Sequence, residues 1–530
     1  VTGVQTCALP IWDTVNINYS CFVNLKPINW DSLGKSIRNE LAQGVSKGKF
    51  AGIMCMLTGI LNDGHTALYD RDIRWLPPTW GYPAIIEDSK YQFPACLTVE
   101  GDSAVVVYHA PDGNVFNLKP GDIILGYNHK SVEFLTGQVM RHRLPNYTLF
   151  GSTYTATHHR LLTNVAASWF LFDTVNILKT DGSLENYPVS LMEGQEIWNN
   201  CYEMIPPEGI KYPNINSIYQ GDMIRSTVLD GLSTGYVALF SCLDFSGDSL
   251  YKHVKYLIEE KKVRALIIDI RTNFGGTILA FDKTLKYLKK GNTLNWLGCA
   301  TRADEKDRLA MSMNPYTIQG YNIYDDDESC FAGPVALLVG PNAVSAGDIL
   351  PVCFSHLKTL KSFGKPTAGA FGSINSVELG GGDTYMGVYQ SGNFYEPSKP
   401  GILLSHLEYP VDEMVWFTSE GLAMGKDDVM EAAKAWIYSL NSDVVQANDS
   451  CPITMSYTNS GIVLKSLQDE IDADNIEIYN MGGVRLTDRV YINFAGNSID
   501  IDFGSLAPGV YILTYRQGHK WYYSKIMVYR

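Results

Sequence analysis

The chain of 530 residues has no uninterrupted apolar run approaching the roughly 20 residues needed to cross a bilayer; its longest runs, such as ALII and PVALLVG, have the length of buried strands. A basic stripe is also missing. A formal charge of −14, from 42 Lys and Arg against 56 Asp and Glu, would be repelled by a phosphate backbone and argues against nucleic-acid binding. The ten cysteines are scattered singly with no C-x-x-C pair, which disfavours a structural zinc site and a dense disulfide framework. Cys21, Cys55, Cys96, Cys242 and Cys353 stand in apolar surroundings and read as small core residues. At 45% hydrophobic, the chain can bury several cores, so three or four domains are expected.

Residues 1–12, VTGVQTCALPIW, resemble translated sequencing-adapter read-through and are set aside, with the expectation that a signal peptide was lost with the true N-terminus. Residues 13–91 read as a helical segment. In NWDSLGKSIRNELAQGV, Asp31 is the expected cap and Leu33, Ile37, Leu41 and Val45 recur at helical spacing; AGIMCMLTGILN reads as a second, more buried helix. Residues 92–192 turn to short strands between Gly, Asp and Asn turns. From 193 to 440 short apolar strands (GYVALFS, RALIIDI, PVALLVG) alternate with amphipathic helices. That alternation implies βαβ units and a mostly parallel sheet, closed by a helix with Val429, Ala433, Trp436 and Leu440 on one face. Residues 441–530 alternate again as a small β-sandwich. The fold class is therefore multidomain α/β (α+β overall).

Open α/β sheets carry their reactive groups at the carboxyl ends of strands, and two such ends stand out. After PVALLVG comes Pro341-Asn342-Ala343-Val344-Ser345-Ala346-Gly347-Asp348. This turn projects the Ser345 hydroxyl, and the backbone N–H of Ala346 at the helix start can face a developing oxyanion. After RALIIDI comes Arg271-Thr272-Asn273-Phe274-Gly275-Gly276, whose glycines allow a close backbone approach and offer a second donor from Gly275 or Gly276. Ala343 stands where G-x-S-x-G needs glycine, which disfavours an ordinary α/β-hydrolase.

IIDIRTNFGG and VALLVGPNAVSAGD together resemble the nucleophile region of the tail-specific, or C-terminal processing, serine peptidases, and the resemblance runs over most of residues 13–440. It implies a ClpP/crotonase-like catalytic core at 193–440, with Ser345 as the nucleophile in cleavage of polypeptides near their C-termini. LKPGDIILGYNHKSV resembles a PDZ signature and implies that 92–192 is a PDZ-like domain binding or gating the substrate. The lysine of the family's T-F-G-K-G-S-V-Q segment is replaced by Ala370, and Lys365 is out of register, so a Ser–Lys dyad is not expected. LNDGHT is similar to the L-x-D-x-H-T motif of the tricorn-core branch, which implies His65 as general base, with Asp63 shaping its turn. That branch orients its histidine with a carboxylate: Glu408 is the expected acid, with Asp412 and Glu413 as alternatives. Gly64 stands where the branch has a further serine. The closing LAPGVYILTYRQGHKWYYSKIMVYR resembles the type nine secretion sorting domain of Bacteroidetes, which implies export to the periplasm, cell surface or medium.

Neither metal nor nucleotide cofactor is expected. Asp325-Asp326-Asp327-Glu328 lacks the ligand spacing of a calcium loop, and LGGGD at 379–383 lacks the context of a phosphate loop. The rival readings are a catalytically silent PDZ-containing peptide-binding protein and an esterase.

Overall fold

The computed structural model describes residues 12–25, 28–70, 93–144, 151–193, 202–213, 215–218, 220–229, 233–288, 297–314, 331–357, 359–379, 385–399, 401–448, 453–458, 461–466, 476–480, 485–495, 498–507, 509–517 and 520–528. The acidic run 325–328 and all but the first residue of LGGGD lie outside them. The chain divides into two compact units, Val1–Ala433 and Lys434–Arg530.

The first unit opens with helices α1 (Trp30–Ala42) and α2 (Lys47–Gly59). Asn29, not Asp31, caps α1: its side chain accepts the Ser32 N–H at 3.0 Å, while Asp31 lies within the first turn and pairs with Arg308. Ile37 and Leu41 bury with Trp30, and Phe50, Ile53, Met54 and Leu57 of α2 join the same core. Trp12, set aside with the first twelve residues, stacks on Trp30 with ring centroids 6.1 Å apart.

Strand β1 (Ala67–Asp70) leads away from this core. Next, β2 (Cys96–Glu100), β3 (Ala104–His109), β4 (Ile123–Tyr127), β5 (Thr174–Leu178) and β6 (Leu184–Pro188) form an antiparallel sheet in the order β2-β3-β4-β5-β6. Two helices between β4 and β5, α3 (Val132–Arg141) and α4 (Tyr154–Ala167), pack Val132, Val139, Leu162 and Val165 onto Val105, Val107 and Ile124 of that sheet. All five cysteines read as core residues are buried; Cys96 is in addition disulfide-bonded, and Cys21, Cys55, Cys242 and Cys353 are free thiols.

The central sheet contains β7 (Ile224–Leu229), β8 (Thr234–Leu239), β9 (Ala265–Asp269), β10 (Val335–Val339), β11 (Leu360–Gly364) and the short β14 (Glu413–Met414), in the order β14-β11-β10-β9-β8-β7. All neighbours are parallel except β7 and β8. Every residue of β8, β9 and β10 is buried, the condition that makes such strands continuous apolar runs. Helices α5 (Asp248–Glu259), α6 (Leu279–Leu288) and α7 (Ala346–Phe354) supply the crossovers. The antiparallel pair β12 (Ile374–Leu379) and β13 (Tyr385–Gln390) forms a separate sheet with β1. The long α8 (Asp428–Asn448) buries Val429, Met430, Ala433 and Ile437; its inner face runs past Ile437, leaving Trp436 half-buried and Leu440 exposed.

In the second unit, one antiparallel sheet holds 453–457, 461–466, 498–502 and 491–495, and another holds 476–480, 509–517 and 520–528. Ile462, Leu464 and Ile501 of the first share a core with Ile478, Leu513 and Ile526 of the second. That is a β-sandwich.

Candidate active site

Ser345 stands half-buried between β10 and α7 with φ 62° and ψ −117°, a left-handed backbone that costs a non-glycine residue about 1–3 kcal/mol and persists only where surroundings enforce it. The enforcing group is Asp348, fully buried in the first turn of α7. Its carboxylate accepts the Ser345 N–H at 2.7 Å, the Gly369 N–H at 2.7 Å and the Ala370 N–H at 3.1 Å. Burial pushes the Asp348 carboxyl up to about 6 against these donors. Asp348 escaped the sequence reading, although a serine followed three residues later by an acid at a helix start is a capping signal. Ala370, where the lysine would stand, contributes only this backbone donor.

The turn after β9 meets Ser345 from the side. Gly275 has φ 83°, and a Cβ there would lie 2.7 Å from both Ser345 Cβ and Val344 O. Val344 N–H donates to Asn273 O at 3.0 Å, locking the two turns together. The Gly275 N–H, however, donates to the Asn273 side chain at 2.9 Å. Gly275 is thereby corrected from candidate donor to close-approach residue. The N–H groups of Ala346 and Gly276 have no hydrogen-bond partner among the described residues. Behind the turn, fully buried Arg271 binds Asp269 and, from both terminal nitrogens, Asp427 at 2.8 and 2.9 Å.

His65 is buried on the turn between α2 and β1. Asp63 closes that turn by accepting the His65 N–H at 2.6 Å, the local carboxylate–amide bond typical of Asp in turns. Its other oxygen accepts the Tyr19 hydroxyl at 2.5 Å and lies 3.5 Å from His406 Nε2. Burial alone would raise Asp63; His406, Tyr19 and the His65 charge hold it below the usual carboxylate range. Burial lowers His65 below its ordinary 6.5 and Arg160 adds to this, while the Asp63 charge and the Gln390 side chain oppose it. A lowered imidazole favours its neutral form, the form able to accept a proton. Cys21, Asp63 and His406 place their donor atoms within 4.8 Å of one another; Tyr19 and Gln390 already supply hydrogen bonds to Asp63 and Cys21.

The two turns are 280 residues apart and the fold brings them into one network. Gly64 N–H donates to Ser152 Oγ at 2.9 Å, Ser152 N–H to Ala368 O at 2.6 Å, and Ala368 N–H to Ala343 O at 2.8 Å, two residues before Ser345. Arg160 of α4, which acts on His65, also donates to Pro341 O at 3.2 Å. Ser152 had no sequence signal.

The expected acid is elsewhere. Glu408 is exposed and accepts the Thr155 N–H at 3.1 Å in the first turn of α4, and it is not among the groups acting on His65. Asp412 is taken up by the Ser362 N–H and hydroxyl, and Glu413 pairs with Lys361. The carboxylate beside His65 is Asp63. Lys365 donates to Val99 O and Gly101 O in the antiparallel domain.

Residues 233–403 match the model of peptidase family S41, and residues 452–529 match that of the secretion system C-terminal sorting domain. The first span holds Ser345, Gly275 and Gly276 but not His65. Among solved structures, mature CPAF aligns with a TM-score of 0.57 at 12% identity, over 85% of this chain and 98% of that one. The photosystem II D1 C-terminal processing protease aligns with a TM-score of 0.39 at 15% identity, over 79% and 94%. No curated protein sequence matches. At such identities the structures speak for the fold alone; the class comes from the family model. The chain carries a peptidase domain of family S41 and is a hydrolase of peptide bonds, with a C-terminal secretion sorting domain at its end.

Proposed function

We propose that the protein is an exported serine endopeptidase in which Ser345 attacks the substrate carbonyl, His65 takes the hydroxyl proton and returns it to the leaving amine, and the N–H groups of Ala346 and Gly276 hold the oxyanion. The observation carrying this reading is the strained Ser345 backbone pressed against the Gly275 turn, with the Ala346 and Gly276 N–H groups without a partner among the described residues. Strain of this kind concentrates at reactive sites. The substrates are exported or unfolded polypeptides, bound by their C-termini at the PDZ-like 92–192 domain. Export runs through the type nine system to the surface or medium, in line with the sorting-domain match and with a disulfide at Cys96.

A fluorophosphonate probe should label Ser345 in the full chain, and casein should be cleaved; Ser345→Ala should lose both. Labelling absent from the wild type would leave a peptide-binding protein. Esters cleaved faster than casein would point to an esterase.

A further inference from the structure

We propose that Gln390 is the positioning residue of His65: its amide oxygen accepts the Nδ1–H, fixing the ring tautomer that leaves Nε2 to act as base. This rests on the peptidase reading above and replaces the carboxylate expected at Glu408 with an amide.

The register of β1 against β13 brings the two residues together. Ala67 pairs with Val388 and Asp70 with Tyr385; continuing that antiparallel register two residues back sets His65 opposite Gln390. Gln390 N–H donates to Thr66 Oγ1 at 3.2 Å, so the strands stay joined there.

The amide is fully buried and its orientation is determined by its neighbours. Nε2 faces Gly392 O at 3.0 Å and Phe371 O at 3.5 Å, carbonyls that can only accept. It also faces Ser405 Oγ at 2.5 Å, a hydroxyl whose own hydrogen goes to Phe371 O at 2.9 Å and which must therefore accept from the amide. Cys21 Sγ at 3.0 Å completes the set. With every nearby acceptor on the nitrogen side, Oε1 is left on the other. Gln390 Oε1 and His65 Nδ1 are both sealed from solvent and, among the described residues, neither has an aligned partner, while the Gln390 side chain raises the imidazole against the effect of burial. A buried donor and a buried acceptor, each unsatisfied and opposite in register, supply what the other lacks. Catalytic hydrogen bonds are often loose before substrate binds and tighten afterwards. The charged groups acting on the ring are Asp63 on its own turn and Arg160 on α4.

The test combines a spectrum with kinetics on the full chain. In the ¹⁵N-histidine-labelled wild type, His65, assigned by its loss in His65→Gln, should show the Nδ1–H tautomer; an Nε2–H tautomer overturns the proposal. Gln390→Leu, which has no acceptor, should lower kcat for casein on the order of 10²-fold with little change in KM. Gln390→Glu should restore much of that loss and move the acid limb of the kcat profile to higher pH, because a carboxylate stabilises the imidazolium. A merely structural glutamine would leave the limb in place, and wild-type kcat in both variants overturns the proposal. If the variants fail to fold, the wild-type spectrum still decides. A wild type inert to fluorophosphonate defeats the peptidase reading instead, and the spectrum continues to report on the Gln390 contact.

Discussion

The Ser345 turn and the His65 turn are built differently. Around Ser345 one buried carboxylate satisfies three backbone donors and holds a strained residue, and the neighbouring Gly275 turn is locked on at van der Waals distance. Around His65 the backbone is equally well tied, but among the described residues the ring nitrogen Nδ1 has no aligned partner. Ser345 is thus placed by main-chain bonding that forms with the fold, whereas on the proposed mechanism His65 would depend on a side-chain contact from Gln390. Loss of structure should be the failure of the first region, loss of rate that of the second.

The largest effects test whether the regions work as a unit. Ser345→Ala and His65→Ala should each lower kcat by roughly 10⁴–10⁶-fold, and the double variant should cost no more than either alone. Additive losses in casein turnover would break the pairing. Next is the support of the nucleophile side: Arg271→Ala strands the buried Asp269 and Asp427 carboxylates and should cost about 3–5 kcal/mol in denaturant unfolding. A loss under 1 kcal/mol would show that side to be less rigidly founded than its bonding implies.

A smaller effect depends on pH. The folded-state pKa of Asp348, about 6, lies above the roughly 3.9 of an unfolded aspartate. Its contribution to stability is full below about pH 4 and is lost as pH rises to about 6. The wild type should therefore lose stability relative to Asp348→Asn, which cannot ionise, across that window; the opposite slope would mean that the three N–H donors outweigh burial. Smallest is Asn29→Ala, which removes the cap of α1 away from both turns. It should cost about 1 kcal/mol and leave kcat unchanged.

What was legible in the sequence follows from how local each signal is. β8, β9 and β10 show as apolar runs because both their faces are buried, and the turns after β9 and β10 show because glycine and a helix-starting serine are short-range features. His65 was reached through LNDGHT, whose Asp63 bond spans two residues. Glu408 was assigned by analogy of position, and only the fold reveals that its carboxylate serves the start of α4. The engaged Gly275 N–H was equally hidden, since Gly-Gly does not tell which amide a neighbouring Asn273 will claim. Gln390 had no signal at all: a polar residue ending a strand acquires meaning only from the strand it pairs with, more than 300 residues earlier in the chain.

Ser152 has a mechanical consequence. It precedes α4, a helix embedded in the core of the antiparallel domain, and it moors the His65 turn through its hydroxyl and the Ser345 side through its backbone N–H. A push on that helix from its own domain is therefore delivered to the His65 and Ser345 turns together, so they would travel as a pair rather than drift apart.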